Sequence, residues 1–111
     1  MNLAIALLLL TAPAAAETVD PSKGLVLANK HTRLEFEPGT MGLAAMVDVA
    51  TGRNHITPVD GKHTLWEVAF GRGAQVRKIT NNYRPSNKAH VQTPEGGGQL
   101  AVLEWKDQRW W

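Results

Sequence analysis

The sequence contains no cysteine. This absence excludes a disulfide scaffold, a cysteine nucleophile and a thiolate metal site. It also excludes a lipid-modified cysteine behind an export signal. A small exported domain without disulfides has to be held together by its hydrophobic core alone.

Concentrated charge is also missing. Twelve Lys and Arg residues face ten Asp and Glu residues, a net charge of +2 over 111 residues. The basic residues are scattered, and only Arg77 and Lys78 are neighbours. Because a phosphate backbone is bound by clustered cations, the sequence does not predict a nucleic-acid partner.

Motifs for catalysis or cofactor binding are absent as well. Ser22 and Ser86 are the only serines, and neither lies in a nucleophile elbow. The glycines around Arg72 lack the G-x-x-x-x-G-K pattern of a phosphate loop. We therefore predict no catalytic residue and no cofactor-binding residue in this chain, so whether a longer parent protein is an enzyme stays open.

The histidines and one pair of glutamates are the candidates for metal binding or catalysis, but their spacing indicates ordinary surface or turn residues. The four histidines, His31, His55, His63 and His90, show neither H-x-H nor H-x-x-x-H spacing, so we predict no metal site. Glu35 and Glu37 lie two residues apart on one strand face, interleaved with Arg33, and are expected to form a solvated face.

The N-terminus resembles an export signal. Residues 3–10 form an apolar run, and Ala14 and Ala16 fit an A-x-A cleavage site, which makes residues 1–16 a predicted signal peptide. The run is too short to span a bilayer, which takes roughly 20 apolar residues. The segment before the run has no Lys or Arg, and a buried strand or helix is the rival interpretation. Residues 17–23 are polar and are expected to be a flexible leader.

From residue 24 onward the chain shows a period of two. Thr32, Leu34 and Phe36 share one strand face, and Trp66 shares a face with Val68 and Phe70. The other predicted strands cover residues 24–28, 43–49, 75–83, 88–93 and 99–105, separated by Gly, Pro and Asn turns. Apolar residues occupy both faces of 99–105, which is typical of a strand covered on both sides or central in a sheet. The pattern predicts an all-β antiparallel sandwich.

Tryptophan is the residue type most compatible with a sugar ligand. Trp66 is in phase with apolar neighbours and is predicted to be core. Trp110 and Trp111 end the chain, which is unusual for a domain terminus, and are candidate carbohydrate-stacking residues. We therefore expect 24–111 to be a β-sandwich domain cut short at its C-terminus.

Three stretches resemble the opening of galactose-mutarotase-like β-supersandwich domains. Residues 27–36 (LANKHTRLEF) resemble the N-x-x-L-x-L-x-F start of these domains. Residues 42–53 (GLAAMVDVATGR) are similar to the next hairpin, and residues 65–70 (LWEVAF) to the following strand. Such domains stand at the front of secreted glycoside hydrolases and polysaccharide lyases and also occur as sugar epimerases. No motif here matches the epimerase catalytic residues, so the resemblance implies no catalytic residue.

Together these features predict the non-catalytic N-terminal β-sandwich region of an exported, periplasmic or extracellular, carbohydrate-active protein. Its partners would be a carbohydrate and a downstream domain of the same parent chain, with no nucleic acid and no membrane after signal removal. Two alternatives stay open: a stand-alone Ig-like binding or adhesion module, and a truncated sugar epimerase.

The signal prediction is tested by intact mass. Expressed in a bacterium with its own N-terminus, the chain should be recovered from the periplasm beginning at Glu17, because cleavage follows the A-x-A pattern. A product that stays in the cytoplasm or retains Met1 contradicts the prediction.

Overall fold

The computed structural model of the chain describes residues 2–9 and 17–106. Nine strands lie in this part of the chain: β1 (Leu3–Leu9), β2 (Glu17–Val19), β3 (Leu25–Ala28), β4 (Thr32–Phe36), β5 (Leu43–Asp48), β6 (Glu67–Phe70), β7 (Arg77–Thr80), β8 (Lys88–Gln92) and β9 (Gln99–Trp105). Pro21–Lys23 and Gly73–Gln75 form short 3-10 turns.

All named strand pairs are antiparallel. They form a four-stranded sheet in the order β1-β9-β8-β2, a three-stranded sheet β3-β4-β5 and a β6-β7 hairpin. This confirms the predicted all-β, antiparallel, sandwich-like architecture.

The N-terminal apolar run is a strand in this structure. β1 pairs with β9 from Leu3 opposite Trp105 to Leu9 opposite Gln99. Large side chains at Leu3, Ile5 and Leu7 pack against the core, whereas Ala4 and Ala6 are exposed. The structure describes the uncut chain, so removal of residues 1–16 stays a prediction.

The polar stretch after the run is more regular than the flexible leader expected there. β2 pairs with β8 at the far edge of the four-stranded sheet, Glu17 opposite Val91. The 3-10 turn follows, and Asp20 caps it by accepting hydrogen bonds from the hydroxyl and the backbone N–H of Ser22. These bonds, the hydroxyl first, hold the pKa of the Asp20 carboxyl below its ordinary value.

Two predicted strands begin later than their sequence pattern suggests. β6 starts at Glu67 because the N–H groups of Leu65 and Trp66 donate to the Asn81 side chain at 2.6 and 3.4 Å. In the next segment Val76 and Ile79 are out of phase for a single strand. The 3-10 turn at Gly73–Gln75 delays the start of β7 to Arg77, so Val76 lies outside the strand. Val76 is therefore exposed and Ile79 buried.

The core is centred on the inner face of β9. Ala101, Leu103 and Trp105 have no measurable exposure. The Trp105 ring meets Trp66 edge-on, with centroids 5.5 Å apart and planes at 76°, which joins the four-stranded sheet to the entry of β6. Trp66 is therefore a core residue, as its strand phase predicted.

A buried asparagine ties three segments together. Asn81 is fully buried, and besides its contacts to the backbone before β6 its Nδ2 donates to the carbonyl oxygens of Thr40 and His63 at 3.3 and 3.2 Å. This one amide therefore links the β4–β5 turn, the segment before β6 and the end of β7.

Asn81→Ala should lower the free energy of unfolding by about 2–3 kcal/mol, because it leaves buried backbone N–H and C=O groups without their hydrogen-bond partner. The neighbouring Asn82→Ala, which removes an exposed contact to the Thr64 hydroxyl, should cost less than about 1 kcal/mol. Urea unfolding of both variants measures the difference, and equal losses would contradict the role given to Asn81.

Candidate functional site

The side chain of Glu37 does not lie on the solvent-facing strand face that the sequence pattern predicts for it. Glu37 follows β4 and opens a tight turn, in which its N–H donates to the Gly42 carbonyl and its own carbonyl accepts from Met41. Its side chain turns inward: Oε1 accepts from the Thr40 hydroxyl, and Oε2 lies 3.0 Å from Nδ1 of His63. The expected pair of solvated carboxylates is therefore split.

Glu35 behaves as predicted. Its carboxylate lies 3.3 Å from Nε of Arg33, and both side chains are more than two-fifths exposed. Such a pair contributes little to stability because water screens it. The two glutamates thus have different roles although they are two residues apart.

The Glu37 contact fixes the imidazole of His63. With Nδ1 bound to a carboxylate, the neutral ring carries its lone pair on Nε2. Both partners are partly buried, at 22% exposure for His63 and 29% for Glu37. The arrangement can accept a hydrogen bond at Nε2 or, when protonated, donate one to a ligand.

The backbone of His63 is held from two sides. A β-carbon at Gly42 would lie 1.9 Å from the His63 carbonyl oxygen, so only glycine permits this approach of the two segments. The same carbonyl accepts from Asn81. The imidazole is therefore positioned by a rigid frame rather than by a free loop.

An open cleft of about 390 Å³ adjoins this histidine. Its lining combines apolar side chains with hydroxyl and cationic ones: Leu43, His55, Ile56, Thr57, Val59, Lys62, His63, Thr64 and Leu65. None of these described lining residues carries a carboxylate. The cleft therefore offers apolar contact area together with donors and positive charge.

The loop of residues 54–62, which contributes five of the lining residues, is held in place by local hydrogen bonds. Asn54 starts it, its Oδ1 accepting from the N–H groups of Met46 and Ile56 at 3.0 Å each. A bridge between Val59 and Lys62 closes its tip, where Asp60 adopts a positive φ of 52°. This local bonding positions His55 and Lys62 at the cleft.

A second open cleft, of about 430 Å³, shares His55 with the first. Its other lining residues are Lys30, His31, Thr32, Met46, Val47, Asp48 and Ala50. Three of the four histidines thus line two surface clefts that have His55 in common, a grouping that their wide sequence spacing concealed. The fourth, His90, lies half-buried in β8.

Neither tryptophan within the described residues presents an exposed ring on which a sugar could stack. Trp110 and Trp111, the candidate stacking residues, lie outside the described residues, and Trp105 is core like Trp66. Within residues 2–9 and 17–106 the exposed aromatic side chain is that of Tyr83, which is about half accessible, and the Arg84 guanidinium lies 5.5 Å from its ring centre. The site that the structure offers is therefore built on histidine, lysine and threonine.

In the described part of the chain no group of three or more His, Asp or Glu side chains is placed to hold a metal ion. Residues 2–9 and 17–106 include no helix long and apolar enough to cross a membrane. No family model, no curated protein and no solved structure matches this chain.

Replacing Glu37 tests how much the site contributes to stability. Glu37→Ala should cost about 1.5–3 kcal/mol, because it removes hydrogen bonds to a partly buried carboxylate. Glu35→Ala should cost at most about 1 kcal/mol, since its exposed pair with Arg33 is screened. Chemical unfolding of the two single variants gives the comparison, and a larger loss for Glu35 would refute the assignment.

Proposed function

We propose that this chain is the non-catalytic N-terminal β-sandwich region of an exported carbohydrate-active protein, and that it binds carbohydrate in the His63 cleft. The observation that carries the proposal is the composition of that cleft. Sugars present apolar C–H faces edged by hydroxyl groups, and the cleft sets Leu43, Ile56 and Leu65 beside Thr57 and Thr64. Its volume is within the usual range of small-ligand sites, about 300–1,000 Å³.

The charge of the cleft indicates the class of sugar. Lys62 contributes a positive charge and His55 and His63 contribute imidazole groups. The Glu37 carboxylate behind His63 is bound to the His63 ring and the Thr40 hydroxyl. An acidic saccharide, one that contains uronic acid, would place its carboxylate against the Lys62 ammonium group and a ring N–H of His55. The proposal therefore favours uronate oligosaccharides over neutral ones.

The same lining supports a binding role rather than glycoside hydrolysis. A glycosidase uses two carboxyl groups that face each other across the bond, about 5–9 Å apart. Glu37, whose carboxylate lies against the lining residue His63, is engaged by the Thr40 hydroxyl and the His63 ring. Hydrolysis would then belong to a downstream domain of the parent protein, which this region would support.

NMR titration of the full chain tests the proposal with two probes of equal length, trigalacturonate and galactotriose. Trigalacturonate should bind more tightly at low salt and shift the amide signals of residues 55–65, and the preference should shrink as salt rises. His63→Gln should weaken binding about tenfold, the equivalent of about 1.4 kcal/mol. The control His90→Gln should leave binding unchanged. If neither sugar shifts these signals, the proposal fails.

One observation favours a second candidate, a sugar-epimerase activity carried by Glu37 and His63 themselves. A carboxylate that orients a histidine is also the arrangement of a general base. Polarimetry of galactose mutarotation distinguishes the two: an enzyme would accelerate the reaction and lose that acceleration in Glu37→Gln. A binding region would leave the uncatalysed rate unchanged.

A further inference from the structure

Strand β1 covers one edge of β9 with a matched pattern of side chains. Leu7, Ile5 and Leu3 stand opposite Ala101, Leu103 and Trp105, three fully buried residues of the core. Among the described strands β9 is the only partner of β1. If residues 1–16 are removed on export, β9 loses this neighbour, and its backbone N–H and C=O groups on that edge become unpaired.

The two edges of the four-stranded sheet are protected to different degrees. β2, at the far edge, is three residues long and is followed by Asp20 and Pro21, features that blunt an edge against further pairing. β9 is seven residues long, contains no proline or lysine, and carries one charge, at Glu104. Without β1 it would be an unprotected edge.

The sequence of β9 is complementary to itself. In an antiparallel pair of two β9 strands centred on Leu103, Trp105 stands opposite Ala101 of the other copy, a large residue facing a small one. Glu104 stands opposite Val102, so no like charges meet. Inward-facing residues pair with inward-facing residues, which makes the two apolar faces continuous.

From this geometry we infer that β1 shields the edge of β9, and that once β1 is displaced the edge pairs with β9 of a second copy of this chain. We name a second copy as the partner because β9, like β1, alternates inward-facing apolar residues with outward-facing ones. A second β9 can therefore take the place that β1 has in the uncut chain. The inference concerns β1 and β9 alone, so the carbohydrate proposal can fail without affecting it.

The uncut chain provides the test, so failure of signal cleavage leaves the outcome interpretable. Ile5→Lys places a charge on the buried face of β1 and should displace the strand. Ala6→Lys, the matched control, places the same charge on its exposed face. Light scattering after size exclusion should give about twice the 12.1 kDa chain mass for Ile5→Lys and a monomer for Ala6→Lys. A folded monomeric Ile5→Lys overturns the inference.

Val102 tests the register of the pair in the Ile5→Lys background. Val102→Glu sets two glutamates opposite each other twice by symmetry and should abolish the dimer, whereas Val102→Lys meets Glu104 and should retain it. An equal effect of both substitutions contradicts the register. If Ile5→Lys loses its β spectrum by circular dichroism, Ile5→Thr replaces it. Loss of the fold in both variants also overturns the inference, which requires the rest of the fold to survive without β1.

Discussion

The rest of the structure depends on the burial of one strand face, that of Ala101, Leu103 and Trp105 in β9. β8 flanks this strand on one side and β1 on the other, and the edge-on contact of Trp105 with Trp66 joins the sheet to the β6–β7 hairpin. With no cysteine to form a disulfide, apolar burial at this point is the main source of stability in a chain of this size. The polar features are arranged around that constraint.

Asn81 and Glu37 are the main polar contacts, and they act at the same place. The amide holds the carbonyl of His63 while the carboxylate holds its imidazole, and Gly42 lets the two segments approach. A histidine fixed at both backbone and ring loses little conformational freedom when it meets a ligand. The proposed binding site therefore follows from how the β4–β5 turn packs on the segment before β6.

Much of the fold could be predicted from the period of two. β4, β5, β8 and β9 lie where the alternation places them, and apolar residues on both faces of β9 correctly indicated a strand with neighbours on both sides. The start of β6 could not be predicted, because it depends on hydrogen bonds that the side chain of Asn81, distant in sequence, accepts from Leu65 and Trp66. The alternation of Leu3, Ile5 and Leu7 with alanines is compatible with a strand, but an apolar run before an A-x-A site favours a signal peptide, so the strand is only the rival interpretation.

The site could be predicted far less well. Glu37 continues the alternation of Glu35 in the sequence, but the β4–β5 register shifts between Glu35 and Phe36, and the turn through Met41, with its positive φ of 54°, follows at once. The grouping of His31, His55 and His63 arises from the pairing of β4 with β5 and the loop that follows β5. Neither effect is encoded in local spacing, so sequence reasoning assigned these residues to a solvated surface.

The dependence of the fold on β9 and its cover is tested most directly by hydrogen exchange of the uncut chain, read by NMR amide by amide. If β1 is part of the same cooperative unit, the bonded amides of residues 3–9 should be protected together with those of 99–105 and open with them. Exchange of residues 3–9 at the rate of an unstructured peptide, while β9 stays protected, would contradict the account.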